Sequence, residues 1–191
     1  MLSHLRPAIV STLFFTVLLG LAYPLAVTGA AGALFPAQAS GSLIRSGGKV
    51  VGSNLIGQAF TGDAYLHPRP SAAGKGYDAA ASSGSNYGPL NPDYAARVKT
   101  DADALRAAGP GAIPVDAVTA SGSGLDPDVS PAYAQRQAAR IAAARKLAPG
   151  RVEAVIAAQT RGPTLGFLGQ SRVNVLKVNL ALDALNREAR S

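Results

Sequence analysis

Residues 8–28, AIVSTLFFTVLLGLAYPLAVT, form a long apolar stretch close to the N-terminus. No Asp, Glu, Lys or Arg occurs between Arg6 and Arg45. As a helix, this stretch is roughly 31 Å long at about 1.5 Å per residue, which matches the ~30 Å hydrocarbon core of a bilayer. We therefore predict a transmembrane helix over residues 8–30.

Charge and small residues indicate how this helix is used. Arg6 and the amino terminus place positive charge on the short leading side, which favours a cytoplasmic location for that side. Residues 1–7 are then a short cytoplasmic N-terminus, and residues 31–191 form an extracytoplasmic domain. Gly20 thins one face of the helix and Thr16 carries a hydroxyl, so that a partner helix can approach closely there.

A cleaved signal peptide is the competing interpretation of the same stretch. Ala37-Gln38-Ala39, followed by Ser40, is an A-x-A cleavage pattern. The apolar core of a signal peptide is about 7–15 residues long, however, and this stretch is longer. The length favours a retained anchor, and an intact N-terminus in membrane-extracted protein would distinguish the two.

Composition excludes several functions. The chain of 191 residues has no cysteine, so disulfides and thiolate metal sites are excluded. It has only two histidines. The 18 basic residues outnumber the 11 acidic ones and give a net charge of +7, but they are scattered along the sequence, with Arg145-Lys146 among the densest pairs. No basic stripe flanked by aromatic residues is present, so we expect no nucleic-acid partner.

The remainder of the sequence predicts a small mixed α+β domain. Val50-Val51 and Leu55-Ile56, bracketed by glycines, are typical of short strands, and residues 115–119 are a further strand candidate. The predicted helices lie over residues 92–108, opened by Asn91-Pro92, over 132–147, opened by Ser130-Pro131, over 152–158, and from 173 toward the C-terminus. Residues 69–92 are rich in Gly, Ser, Asn and Pro, and we expect them to be disordered or ordered by a partner.

No catalytic motif is complete. Gly74-Lys75 is followed by Gly76 rather than Ser or Thr, so the phosphate-loop pattern fails. Ser121 and Ser123 lie among glycines without forming G-x-S-x-G, and His67 is the one imidazole base available to them. Asp126-Pro127-Asp128 has too few ligands for a tight calcium site and is typical of turn and capping chemistry. We assign no catalytic residue, no metal ligand and no cofactor-binding residue.

An ordered series of short motifs carries a family resemblance. Near the membrane stretch stand Leu5-Arg6-Pro7-Ala8, Tyr23-Pro24-Leu25, Phe35-Pro36, Gln38-Ala39 and Gly41-Ser42-Leu43-Ile44. Beyond it follow Val51-Gly52-Ser53, Leu55-Ile56-Gly57-Gln58, Phe60, Arg69-Pro70-Ser71-Ala72, Gly84-Ser85-Asn86, Val118-Thr119-Ala120-Ser121, Gly124-Leu125-Asp126, Val173-Asn174-Val175-Leu176 and Asn179-Leu180-Ala181-Leu182-Asp183. In this order and spacing the chain resembles the C subunit of the bacterial potassium-transporting P-type ATPase, the Kdp complex.

The resemblance implies a function. It implies a non-catalytic subunit of a high-affinity, ATP-driven potassium uptake pump in the inner membrane, which assembles and stabilises the complex. It also implies a catalytic chaperone that raises the ATP affinity of the ATP-hydrolysing subunit. Any contact of this chain with ATP would then be through that subunit. The implied partners are the channel-like potassium-translocating subunit, the ATP-hydrolysing subunit, a small further membrane subunit and the lipid bilayer.

Six residues are our candidates for partner contact: Thr16, Gly20, Arg69, Ser71, Asn86 and Ser121. The last four lie in loops that we expect a partner to order. The alternative function is a membrane-tethered exported binding or hydrolytic domain that acts alone. Deletion of residues 1–39 would then leave a soluble and active product.

Overall fold

A computed structural model describes residues 2–188 and divides the chain into two compact units, Met1–Val50 and Val51–Ser191. The prediction of one N-terminal apolar helix followed by a mixed α+β domain is confirmed. Each unit is described by itself below. The last three residues of the predicted C-terminal helix region lie outside the described part of the chain.

The first unit consists mainly of one long apolar helix. It comprises α1 (Leu5–Val17), a π-helical turn (Leu18–Ala22) and α2 (Tyr23–Leu34). This helix, Leu5–Leu34, is long and apolar enough to cross a membrane, and its side chains are exposed. After it come a short helix α3 (Pro36–Ala39) and strand β1 (Leu43–Ser46).

The π-helical turn has an identifiable cause. Pro24 has no backbone N–H, so it cannot donate the hydrogen bond that an α-helix requires at that position. The amide of Tyr23 instead donates to the carbonyl of Leu18, five residues earlier. The wider turn therefore surrounds Gly20, where the absence of a side chain already thins the helix.

Two glycines shape a hairpin after the long helix. Strand β1 pairs with β2 (Lys49–Ser53) in a two-stranded sheet. Gly47 and Gly48 connect them with φ of 56° and 78°, a left-handed conformation that glycine adopts at little steric cost. The predicted strand at Val50-Val51 is confirmed, whereas Leu55-Ile56 forms only a turn with one isolated bridge between Ser53 and Ile56.

Among its described residues, the second unit has four α-helices: α4 (Pro92–Ala107), α5 (Pro131–Arg145), α6 (Pro149–Gln159) and α7 (Val175–Glu188). The side chain of Asn91 accepts hydrogen bonds from the second and third amides of α4, and Ser130 caps α5 by accepting from Tyr133 N at 3.0 Å. Helix α5 ends at Arg145, two residues before the predicted end at residue 147, and the next residue, Lys146, is left-handed with φ of 56°. Pro149 is the first residue of α6.

A small antiparallel sheet lies beside these helices. Strand β5 (Arg172–Asn174) is central between β3 (Asp128–Val129) and β4 (Thr160–Arg161). Val173, expected in the last helix, faces both neighbours in this sheet. The strand predicted over residues 115–119 is wrong, because residues 115–117 form a 3-10 turn instead.

Apolar residues of α5, α6, α7 and β5 form the core of the second unit. The largest fully buried apolar side chains among the described residues are Leu66, Ile141, Val152, Ile156, Val173, Val178 and Leu182. Leu66 is the exception among them, because it belongs to a loop rather than to a helix or strand. The loop that carries Leu66 is therefore anchored in the core, and it leads directly into the candidate site.

Candidate functional site

Residues 63–67 lie outside the helices and strands and begin as a turn, in which Tyr65 N donates to Gly62 O at 3.0 Å. Each of their five carbonyl oxygens accepts a hydrogen bond from a side chain of α5 or α7. The donors are Arg140 to Asp63 (2.6 Å) and Tyr65 (3.0 Å), Arg145 to Ala64 (2.5 Å), Asn179 to Leu66 (3.0 Å) and Gln137 to His67 (3.1 Å). Side chains of two helices thus provide the hydrogen bonds that the backbone carbonyl groups of this segment need.

Two of these donors are amides that bind both backbone groups of one residue. Asn179 Oδ1 accepts from Leu66 N at 2.7 Å, and Gln137 Oε1 accepts from His67 N at 2.8 Å. Asn179 is 1% exposed and Gln137 is 6% exposed. Buried amides with both ends paired fix the position of a backbone, because an unmade hydrogen bond there is costly. They determine where the following residues, Pro68 to Ser71, begin.

Arg69 connects this loop to a second one. Its guanidinium forms an ion pair with Asp126 at 2.8 Å and lies within 3.5 Å of the carbonyl oxygens of Thr119 and Ala120. The Arg69 side chain is 22% exposed. Most of its hydrogen-bonding capacity is therefore used within the chain, to hold residues 119–126 against residues 66–71.

Ser71 is the centre of a compact turn. Its Oγ donates to Gly124 O at 2.6 Å and accepts from the amides of Ala73 and Tyr77. The Tyr77 hydroxyl donates to Arg69 O at 2.6 Å, and burial, followed by the nearby charge of Asp126, raises the pKa of this phenol well above its usual range. Tyr77 therefore stays protonated and keeps donating this hydrogen bond.

Close backbone contacts complete the packing of the two loops. A Cβ on Gly124 would lie 2.5 Å from Ser83 O and 2.6 Å from Ala73 N, and Gly124 has φ of 67°. A Cβ on Gly57 would lie 2.6 Å from Asp126 O. Only glycine fits at these positions, because the obstructing atoms belong to the backbone and cannot rotate away.

The expectation that residues 69–92 are disordered or ordered by a partner is therefore wrong for their first half. Ser71, Tyr77 and the Ser83 amide, which donates to Ser123 O at 3.0 Å, all bind residues of the same chain. The sequence has no hydrophobic periodicity here, because the order comes from side chain to backbone hydrogen bonds. Composition does not report such bonds.

The other two loop candidates lie at the edge of the same arrangement. Ser121 Oγ is 3.4 Å from Ser123 Oγ. Asn86 has φ of 51°, and its Oδ1 lies 3.5 Å from the position of a Cβ on Gly84, which itself faces Gly122 O at 3.0 Å. Four of the six sequence candidates thus belong to loops in mutual contact. Thr16 and Gly20 belong to the other unit, where both line a shallow groove on the long helix.

Three carboxylates face a cavity of about 680 Å³ beside these loops. Asp126 is paired with Arg69, and Asp116 accepts from the amide and hydroxyl of Ser130 at 2.6 and 2.9 Å. Asp128 accepts from Asn174 at 3.0 Å and pairs with Arg172 at 3.2 Å, while burial raises the pKa of Asp128. No group of three or more His, Cys, Asp or Glu positioned to hold a metal ion occurs among the described residues.

His67 lies at the rim of a second cavity, of about 470 Å³, between the loop and α4. Its Nε2 is 3.0 Å from Gly62 O. Burial lowers the pKa of His67, the hydrogen bond to Gly62 opposes this, and the Arg140 charge lowers it further. The imidazole is therefore held in its neutral form at neutral pH, with Nε2–H as the donor to Gly62 O.

Sequence reasoning missed Gln137, Arg145 and Asn179, which hold the loop in place. Asn179 does carry a signal, because it shares the inward helical face with Val175, Val178 and Leu182. A polar residue at a core position of an amphipathic helix indicates a buried partner. The sequence did not identify that partner as a backbone segment more than a hundred positions away.

The fold and this arrangement of loops define a class of protein. Within its described residues, such a protein has one helix suited to crossing a membrane, followed by a small α+β domain. Hydrogen bonds and an ion pair within the chain hold the polar loops of this domain together.

Comparison with known proteins identifies the family within this class. A family model described as the c chain of the K⁺-transporting ATPase, KdpC, matches residues 5–184. The potassium-transporting ATPase KdpC subunit of Caulobacter sp. (strain K31) is 69% identical over 186 residues, which cover 96% of this chain and 95% of that protein. The subunit of the same name from Beijerinckia indica is 61% identical over 187 residues, covering 96% and 95%. The chain belongs to the KdpC family.

Proposed function

We propose that this chain is a non-catalytic subunit of an ATP-driven potassium uptake pump. In this role it assembles and stabilises the complex with the potassium-translocating and ATP-hydrolysing subunits, and with a small further membrane subunit. It acts as a catalytic chaperone by raising the ATP affinity of the ATP-hydrolysing subunit. The observation that carries the proposal is the family match over residues 5–184, which includes both the apolar helix and the α+β domain.

The proposed location is the inner membrane, with residues 1–7 in the cytoplasm and residues 31–191 outside it. Two features support this orientation. Arg6 lies at the leading end of the helix Leu5–Leu34, and no charged residue follows until Arg45. Positive charge next to a membrane helix favours the cytoplasmic side.

The proposed effect on ATP is indirect. ATP is cytosolic, whereas in this orientation nearly the whole chain is outside, so the domain does not meet the nucleotide. The state of the loop groups supports the same conclusion. Arg69 and Ser71, the residues best suited to bind an anion in these loops, already use their hydrogen-bonding groups on Asp126 and Gly124. We infer that these residues shape a surface for a partner, and that ATP acts through the pump subunit.

The proposed partner contacts are of two kinds. In the long helix, Thr16 and Gly20 provide a thin face for a neighbouring membrane helix. In the domain, the joined loops that contain Arg69, Ser71, Asn86 and Ser121 provide a surface of fixed shape for an extracytoplasmic part of a partner. Preorganised loops lose little conformational entropy on binding, so they suit a stabilising subunit.

Measurement of ATPase kinetics with and without this chain tests the proposal. The purified pump should show a lower KM for ATP when the chain is present, and the chain alone should hydrolyse no ATP. An identical KM in both preparations would contradict the chaperone role. Turnover of a substrate by the purified chain alone would contradict the non-catalytic assignment.

A further inference from the structure

The hairpin between β4 and β5 ends in an exposed apolar tip, residues 164–168. Three of the five residues have large apolar side chains that are exposed to solvent. The exposed fraction is 79% for Leu165, 74% for Phe167 and 51% for Leu168. Exposed leucines are common singly, but three large apolar side chains on one five-residue tip form a patch. None of the three belongs to the candidate site described above.

The backbone of the tip is fixed in shape. Thr164 N donates to Leu168 O and Leu168 N donates to Thr164 O, both at 2.9 Å, and Gly166 N donates to Pro163 O at 3.1 Å. Leu165 has φ of 55°, a left-handed conformation that is unfavourable for leucine. Strained conformations of this kind are found preferentially at sites of function. The hydrogen bonds therefore present Leu165 and Phe167 in one defined arrangement.

Positive charge surrounds the base of the hairpin. Arg161 of β4 and Arg172 of β5 are register partners, so two like charges stand opposite each other. Arg172 pairs with Asp128, whereas Arg161 is exposed and has no ion pair within the described part of the chain. Lys177 lies close enough that, after burial, the charge of Arg161 lowers the pKa of Lys177. Since Asp128 pairs with Arg172, Arg161 is the exposed cation at the base of an uncharged apolar tip that has no ion pair within the described residues.

We propose that this tip inserts into an apolar pocket with a carboxylate rim on another subunit of the pump. The inference rests on the proposed function as a pump subunit and adds the surface and the chemistry of its partner. Apolar side chains would enter the pocket, and Arg161 would pair with the acidic rim. Complementary charge of this kind fixes the register of a protein contact and excludes wrong partners.

The fixed shape favours a protein pocket over the bilayer. Insertion into lipid depends on apolar area and on charge, and it needs no particular side-chain arrangement. A tip in which hydrogen bonds hold Leu165 in a left-handed conformation suits a partner pocket of fixed shape. Lipid is therefore an outcome of the test below rather than the proposed occupant.

Photocrosslinking in the assembled complex tests the contact directly. A full chain with Phe167→p-benzoylphenylalanine should crosslink to another pump subunit. The same probe at Leu90, an isolated leucine that is 96% exposed, serves as the control and should give at least tenfold less product. Crosslinking of position 167 to phospholipid alone, or equal yields at both positions, would overturn the proposal.

Binding measurements separate this inference from the proposed function. The double variant Leu165→Ser, Phe167→Ser should bind the remaining pump subunits at least tenfold more weakly than wild type, whereas Leu90→Ser should not. Arg161→Glu should also weaken binding, while Arg151→Glu, at the opposite end of α6, should not. If wild type copurifies and the tip variants copurify equally well, the tip proposal fails alone. If wild type itself does not copurify, the proposed function fails and the tip proposal fails with it.

Discussion

Gly124 is the residue on which the two site loops depend most directly. With φ of 67° and backbone atoms 2.5 and 2.6 Å from a would-be Cβ, Gly124→Ala combines backbone strain with a steric clash. We expect it to lower the free energy of unfolding by at least about 2 kcal/mol. Gly122→Ala is the matched control, because nothing lies within 4 Å of its Cβ position, and its effect should stay within about 0.5 kcal/mol. Urea denaturation of the full chain in micelles measures both, and equal stabilities of the two variants would refute the explanation.

Arg69 tests whether the joined loops serve assembly. Arg69→Glu would place a carboxylate beside Asp126 and separate the loops, so we expect it to weaken copurification with the pump. The double variant Arg69→Glu, Asp126→Arg restores an ion pair, and it should recover assembly if the loop shape is what the partner binds. Unchanged copurification of the single variant would count against any role of this surface.

His67 makes stability depend on pH. Because burial lowers its pKa in the folded chain, the unfolded chain binds more protons as the pH falls below its usual pKa of about 6.5. Stability is therefore full above that pH and is lost as the pH falls through the folded pKa. His67→Gln removes this contribution and leaves the side chains of the neighbouring Arg140 and Asp63 in place. Between pH 7.5 and 5.5 the wild type should lose more stability than the variant, and parallel pH profiles would disprove this.

Gly20 lies in the one segment where the long helix widens. If its thin face receives a partner helix, Gly20→Leu should reduce copurification several-fold, since close approach between membrane helices needs small residues. Ala22→Leu introduces similar bulk on the opposite side of the helix and should leave assembly intact. An equal loss of copurification in both variants would indicate that added side-chain volume anywhere on the helix disturbs assembly, and would contradict a specific role for the Gly20 face.

Local signals predicted the helices well, and the strands poorly. Asn91-Pro92 and Ser130-Pro131 define helix starts by capping, a short-range effect that sequence displays directly. Strands β3, β4 and β5 have only two or three residues each, and their existence depends on partners more than ten positions away. Residues 115–117 have strand-like composition, yet they form a 3-10 turn in which Ala117 N bonds back to Pro114 O.

The candidate site could be predicted in part. The sequence suggested Arg69, Ser71, Asn86 and Ser121 as partner contacts, which stays a prediction, and the structure places their loops in contact with one another. It did not identify how the loops are held, because Asn179 and Gln137 bind backbone atoms, which have no signature in sequence. The apolar tip at 164–168 was also missed, since a short Leu, Phe and Gly segment looks the same whether it is buried or exposed.

The whole molecule consists of an apolar helix long enough to cross a membrane and a domain whose loops are held by hydrogen bonds within the chain. Polar side chains of the domain bind other groups of the same chain. Arg145, for example, is paired with Asp183 at 2.8 Å and lies over the Tyr65 ring. A surface organised in this way suits binding a partner without change of shape. Under the proposed function, the domain contributes to the pump through contact with the other subunits.

Affinity purification through this chain from detergent-solubilised membranes tests whether the chain functions by contact with the other subunits. We expect a tag on the full chain to recover both the potassium-translocating subunit and the ATP-hydrolysing subunit in amounts comparable to the chain itself. Recovery of the tagged chain alone, from membranes in which the other two subunits are detected, would contradict this expectation.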